Sequence, residues 1–201
     1  NMGIKTIGGL ANTDRTILIK KFGKHGNLMW EYANGIDNSE VKYKKELPKS
    51  IGNSITLPRD ISNREKLEQI LLALTEQVTF RLRKYNLLAN VVNVQLRTDK
   101  FEDFSHQSKL DFSTSNTKDI YIKAKELLEE KYIEGIHIRL IGVRVDSLIN
   151  KDEVQLSFFS KLNDTKQEKL DETIDKLKEK YGYNSIKRAG KMNIDNIIKT
   201  R

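Results

Sequence analysis

The stretch KSIGNSITL, Lys49 to Leu57, alternates Ile51, Ile55 and Leu57 with Ser50, Gly52, Ser54 and Thr56. A period of two is the signature of a strand whose successive side chains point to opposite faces. One face here is apolar, with Asn53 the one exception, and the other carries only small and hydroxyl groups. Downstream, Asn63 to Tyr85 changes to helical spacing, with Leu67, Leu71, Leu74, Val78 and Leu82 on one side. Ser62 followed by Glu65 reads as a capping box at its start. Ala89 to Asp99 and Phe104 to Ser113 alternate again as two strands. Lys118 to Tyr132 forms a second amphipathic helix with Ile120, Ala124, Leu127 and Leu128 inward, and His137 to Ile149 closes the unit as a strand. The order β-α-β-β-α-β over Lys49 to Ile149 predicts an α+β, ferredoxin-like sheet with both helices on one face.

The opposite face is where a function is expected. With Val92, Val94 and Leu96 directed at the helices, Asn93, Gln95 and Arg97 point away. With Leu110 and Phe112 buried, Gln107, Lys109 and Asp111 share the open face. In the last strand Ile136, Ile138 and Leu140 alternate inward before Ile141, Val143 and Val145 take over. A slip of that kind predicts a bulge, placed near Gly142, and leaves Arg139 and Arg144 on the open side. Arginine, lysine, amide and small hydroxyl groups with little opposing acid suit a phosphate backbone, and small side chains let DNA approach the strand amides. Plain solvation of a half-buried sheet is the competing explanation.

Composition sets the frame. The 201 residues include 36 basic and 28 acidic side chains, a formal charge of +8, and 37% are hydrophobic. That charge is compatible with a nucleic-acid partner. The absence of cysteine excludes disulfides and thiolate metal sites. With no apolar run of membrane-spanning length and no signal peptide at the start, a soluble, cytoplasmic protein with no membrane partner is expected.

The flanks differ in character. Gly3 to Gly8 looks like the hairpin of a helix-hairpin-helix element, in which glycines allow a tight turn whose N–H groups can hold a phosphate. No helix precedes it, which suggests a fragment of a longer protein. Thr13 to Ala33 reads as two short helices broken near Gly23 and Gly26. Ile17, Leu18, Phe22, Leu28, Trp30 and Tyr32 form a small apolar cluster, with Trp30 in its core. Asp37 to Pro48 is polar and lysine-rich, an interdomain tether.

The motifs GIKTIGGLAN, FGKHG, W-x-x-A-N-G-I-D, KSIGNSITLPRD and RLIGVRV occur in this order along the chain. Together they resemble the C-terminal half of a Y-family translesion DNA polymerase of the DNA polymerase IV group, over nearly the whole length. The resemblance implies a partial, small all-α thumb over 1–37, a linker over 38–48, a little-finger DNA-binding domain over 49–149, and a clamp-binding peptide with helical tail over 150–201. In that family the little finger grips the DNA backbone from the major groove and the thumb hairpin follows the minor groove. The positions implied are Gly3, Thr6 and Gly8 in the hairpin, Ser50 and Gly52 in the first strand, and Arg139 and Arg144 in the last. The alternation adds Ser54, Thr56, Gln95, Arg97 and Lys109. Leu140 departs from relatives that carry a further arginine there.

Beyond Ile149, Gln155-Leu156-Ser157-Phe158-Phe159 resembles the peptide with which bacterial polymerases dock on the sliding clamp. A glutamine makes polar contacts while adjacent apolar anchors fill a pocket. The bland alternative is that Phe158 and Phe159 cover the nearby core. Gln167 to Tyr181 reads as a lightly docked charged helix with Leu170, Ile174 and Leu177 on a narrow stripe. Asp171 and Glu172 are expected in solvent.

Nucleotidyl transfer needs carboxylates around two Mg²⁺ ions, and no convincing set is present. The resemblance assigns the Mg²⁺ and the catalytic palm to sequence upstream, so this chain alone is expected to be non-catalytic, to need no cofactor, and to act as a monomer on primer-template DNA. Two other readings share the β-α-β-β-α-β order: an RNA-binding RRM module, which would stack bases on aromatics of its central strands, and a protein-interaction domain.

Overall fold

The computed structural model describes residues 2–41, 47–132, 135–153 and 164–188. The chain divides into two compact units, Asn1–Glu46 and Leu47–Arg201.

The first unit holds three short helices: α1 (Ile7–Ala11), α2 (Arg15–Phe22) and α3 (Lys24–Ala33). Thr6 caps α1, its side chain accepting from the Gly9 N–H at 3.0 Å, and Asp14 caps α2 through Thr16 N–H. Only Gly23, at φ +59°, breaks the path; Gly26 lies inside α3. A Cβ at Gly26 would come within 2.1 Å of the Leu18 carbonyl, so a side chain there would push α2 and α3 apart. The predicted apolar cluster is not a sealed core. Leu18 is buried, but Ile17, Phe22, Leu28 and Tyr32 are exposed, and Trp30 is half-buried beneath Arg15. Three short helices offer too little surface to cover them all.

The second unit has the predicted order: β1 (Ser50–Ile61), α4 (Arg64–Lys84), β2 (Leu87–Thr98), β3 (Asp103–Thr114), α5 (Thr117–Lys131) and β4 (Ile138–Asp146). All pairings are antiparallel, in the spatial order β1-β4-β2-β3. This is a variant of the ferredoxin-like arrangement with the second and fourth strands inside. A short β5 (Ile149–Asn150) adds to the start of β2. Ile51, Leu57, Val92, Val94, Leu96, Ile138, Ile141, Val143 and Val145 meet Leu67, Leu71, Leu74, Val78, Leu82, Ile120, Ala124, Leu127 and Leu128 in one buried cluster. The helix starts are fixed by asparagines. Asn63 accepts from Lys66 N–H at 2.9 Å and Asn116 from Lys118 N–H at 2.8 Å. The cap of α4 is thus one residue later than the capping box expected at Ser62, and uses a side chain of equal capping strength. Asn53 sits on the helix face, where its amide donates to the Gln77 side chain.

Three expectations about facing are corrected. Phe112 is exposed, because the β2–β3 register breaks between Val91 and Ala89. Asp111 falls beyond that break, near enough to Lys123 of α5 to help raise its pKa. Leu140 lies on the open side, since the bulge in β4 comes at Arg139 and not near Gly142: Thr98 pairs with Ile138, Arg97 with Leu140. The slip itself is as predicted.

The C-terminal helix α6 (Asp164–Tyr181) is not a lightly docked appendage. Asp171, expected in solvent, is only 2% exposed. It accepts from the Thr117 N–H at 3.0 Å and from Arg188, and pairs with Arg83. Arg83 also bonds Asp175 through Nε and Nη2 and reaches the Ser115 carbonyl, while Arg188 and Lys178 pair with buried Glu76. The Tyr183 ring packs edge-on against Phe80, and burial, aided by the Glu76 and Asp175 carboxylates, raises its phenol pKa. The attachment to α4 and the start of α5 is therefore ionic as much as apolar; Leu170 on the expected stripe is 48% exposed.

Removing one partner from such a network strands the others without water. Arg83→Ala is expected to cost about 3–5 kcal/mol by urea unfolding. Leu170→Ser should change stability by less than about 0.5 kcal/mol. Equal effects would show that the apolar stripe, and not the charges, holds α6.

Candidate nucleic-acid interface

The sheet face turned away from α4 and α5 is a lattice of four rows across β1, β4, β2 and β3. The rows are Ser50–Asp146–Val91–Lys109, Gly52–Arg144–Asn93–Gln107, Ser54–Gly142–Gln95–Ser105 and Thr56–Leu140–Arg97–Asp103. Interstrand steps of about 4.8 Å and two-residue steps of about 6.8 Å make the patch roughly 14 Å by 20 Å. The residues predicted on the open face are in this lattice except Asp111, beyond the β2–β3 register break, and Arg139, which occupies the bulge at its end. The open-face reading of Ser50, Gly52, Ser54, Thr56, Gln95, Arg97, Lys109 and Arg144 agrees with this placement.

The middle of the patch is a shallow groove of about 440 Å³ lined by Gly52, Ser54, Asn93, Gln95, Gly142 and Arg144, among others. Two glycines make it. A Cβ at Gly142 would stand 2.8 Å from the Ser54 Cβ, and one at Gly52 would stand 3.0 Å from the Arg144 Cβ. Such closeness is expected of pairs that do not exchange backbone hydrogen bonds, where antiparallel strands approach most nearly. The bonding of β1 agrees. The Gly52 carbonyl accepts from Arg81 of α4 at 2.7 Å, so the Gly52 backbone faces away from β4, and Ser50, Ser54 and Thr56 share that outward orientation. Small side chains thus bare the backbone of an edge strand, and Asn93 and Ser105 exchange hydrogen bonds on the floor beside it.

Cations stand at both ends of the groove, but not with the scarcity of acid the sequence suggested. Arg97 holds Asp103 across the β2–β3 pair, Nε to Oδ1 at 2.7 Å and Nη2 to Oδ2 at 2.9 Å. That bond lowers the Asp103 carboxyl below its ordinary value and raises Arg97. Arg144 donates from Nε alone to Asp146 at 2.9 Å, and Arg139 lies 3.9 Å from Asp60. Alternation could not reveal Asp60 as a partner, because the register of β1 changes between Thr56 and Ile61. Exposed pairs of this kind contribute little to stability, and the single-nitrogen contact of Arg144 and the loose one of Arg139 leave those two guanidinium groups available to other anions.

Two residues at the rim were missed. Arg81 belongs to α4, and only its reach over the sheet edge to the Gly52 carbonyl brings it here. Phe101, 64% exposed at φ +63° in the β2–β3 turn, has the Arg139 guanidinium 5.0 Å from its ring centre. No aromatic stands within the lattice; Phe104 pairs with Leu96 on the helix side.

In the first unit, Gly3 adopts φ +67° ahead of α1, and Thr6 and Gly8 lie at the start of that helix. Gln155, Leu156, Ser157, Phe158 and Phe159 fall outside the described residues. Among the described residues no three His, Asp or Glu side chains are grouped to hold a metal ion, and no helix is long and apolar enough to cross a membrane.

A family model for the impB/mucB/samB family C-terminal domain matches residues 48–158. The chain is 42% identical over 186 residues to the DNA polymerase IV of Clostridium acetobutylicum, covering 92% of this chain and 47% of that one. It is 39% identical over 195 residues to the DNA polymerase IV of Acetivibrio thermocellus, covering 94% and 48%. The chain therefore spans about half the length of the curated relatives it matches. Among solved structures, a Y-family DNA polymerase chimera aligns with a TM-score of 0.51 at 22% identity, over 74% of this chain and 42% of the other, a likeness of fold.

The groove should tolerate no added methyl at its centre. Gly142→Ala is expected to destabilise by about 1–3 kcal/mol, a fall of several degrees in Tm for a domain of this size. Adding Ser54→Gly removes the nearest clashing atom and should recover much of the loss in thermal unfolding. No recovery would mean that the close β1–β4 approach is not what excludes a side chain.

Proposed function

The chain belongs to the impB/mucB/samB family of Y-family polymerases through its C-terminal domain, and on that premise we propose that it is the DNA-gripping, non-catalytic portion of an error-prone polymerase. The observation that carries this is the lattice: a glycine-floored groove on a bare sheet face, with guanidinium groups at both ends. Backbone amides and arginines that reach phosphates fix position on a duplex without reading sequence. A patch roughly 14 Å across is also commensurate with a major groove about 12 Å wide. In this reading Ser50, Gly52, Ser54, Thr56, Gln95, Arg97, Lys109, Arg139 and Arg144 face primer-template DNA, and the turn at Gly3, Thr6 and Gly8 contacts its backbone separately. A grip confined to the backbone accepts a distorted template, as lesion bypass requires.

The remaining roles follow the same premise. Gln155 to Phe159 docks the enzyme on a sliding clamp, and the Mg²⁺ ions of nucleotidyl transfer are held by carboxylates of a palm outside these residues. The protein works in the cytoplasm as a monomer. Base stacking of the RRM kind is disfavoured because the lattice lacks an aromatic.

Anisotropy titration against a duplex with a 5′ overhang tests the grip. Affinity should fall steeply with salt, duplex should outcompete single-stranded RNA, and Arg144→Ala should flatten the log–log salt slope by about 0.9. An unchanged slope would remove Arg144 from the interface. Deleting 155–159 should abolish co-elution with a bacterial sliding clamp while leaving DNA binding intact; persistent co-elution would refute the docking role.

A further inference from the structure

The open-face arginines each face a carboxylate, and the three arrangements differ. Arg144 uses only Nε on Asp146 with its side chain 52% exposed, and Arg139 is loosely placed 3.9 Å from Asp60. Arg97 is held by both Nε and Nη2 on both oxygens of Asp103. A phosphodiester presents a guanidinium with the same kind of acceptor, two oxygens sharing a negative charge and bound in parallel. We propose that Asp103 is an internal stand-in for phosphate, occupying the Arg97 edge that the DNA backbone would use, so that binding at this corner proceeds by exchange of carboxylate for phosphate and is held weak.

This inference rests on the DNA-binding reading above. Its physical basis is charge cancellation. With Asp103 bound, Arg97 presents a nearly neutral pair to an approaching duplex, and it gains a phosphate only as it gives up the aspartate. The exchange is feasible because both side chains stand in solvent, 36% and 52% exposed, where such pairs contribute little and are readily remade. Asp146 does not compete in this way, since the free end of Arg144 can meet a phosphate while its Nε remains bonded. A weak corner suits a polymerase segment that must follow the template one nucleotide at a time.

Anisotropy titration of the same overhang duplex with the 201-residue chain at several salt concentrations tests this. Asp103→Asn should bind about two- to five-fold more tightly, with a log–log salt slope steeper by up to about 0.9. Arg97→Ala should weaken binding, because it leaves Asp103 uncompensated beside the DNA, and the double variant should return to the wild-type affinity. Asp146→Asn should have a smaller effect than Asp103→Asn; an equal gain would reduce the effect to net charge and overturn the exchange. Asp103→Asn binding no better than wild type, while Arg144→Ala still weakens binding, would sink this inference alone and make Asp103 an orienting group. Salt-insensitive binding untouched by Arg144→Ala, or no duplex binding at all, would instead sink the DNA-binding reading.

Discussion

Strand β4 is hydrogen-bonded on both sides, and its register with β1 and β2 decides what the open face displays. In the observed register Ile141, Val143 and Val145 are buried, while Gly142, Arg144 and Asp146 face out. A slip of one residue would bury Arg144 and expose three branched apolar side chains, at a cost no surface contact could offset. The extra residue in the strand is therefore taken up at the bulge. That puts Leu140 and the half-buried Arg139 at the end of the lattice without disturbing the rows beyond. Groove, arginines and backbone exposure are all consequences of this one alignment.

Much of this was legible because alternation is a strong signal on an antiparallel sheet with one covered face. The element order, both amphipathic helices, and the outward placement of Gln95, Arg97, Lys109 and Arg144 can be read residue by residue. What could not be read depends on contacts between distant segments. The pairing of Arg97 with Asp103 requires knowing the hairpin register, and that of Arg139 with Asp60 requires knowing where β1 loses step with β4. The bulge was detectable as a change of phase but not locatable, since residues 138–141 are apolar or arginine on either assignment. Phe112 illustrates the opposite failure: its alternation is regular, but the strand it belongs to loses register beside it.

The tail shows a different limit of pattern reading. A helix with a weak apolar stripe is usually solvated on most sides, yet α6 is fixed by Asp171, Asp175 and Lys178, which a hydrophobic scan counts against burial. Their partners Glu76 and Arg83 lie on α4, about ninety residues earlier, and Arg188 closes the set from beyond the helix. Charged groups bury only when every member finds a partner, and no local window of sequence contains that information. The segment following the matched family domain is thus structurally part of the sheet-and-helix unit.

The outer margin of β1 has one more implication. A row of unpaired main-chain groups invites another β-strand, and such margins are where proteins stick to their own copies. Here the invitation is interrupted: Arg81 occupies the carbonyl of Gly52, and Pro58, further along, has no N–H to offer. The margin can therefore stay open to solvent without becoming a seed for aggregation.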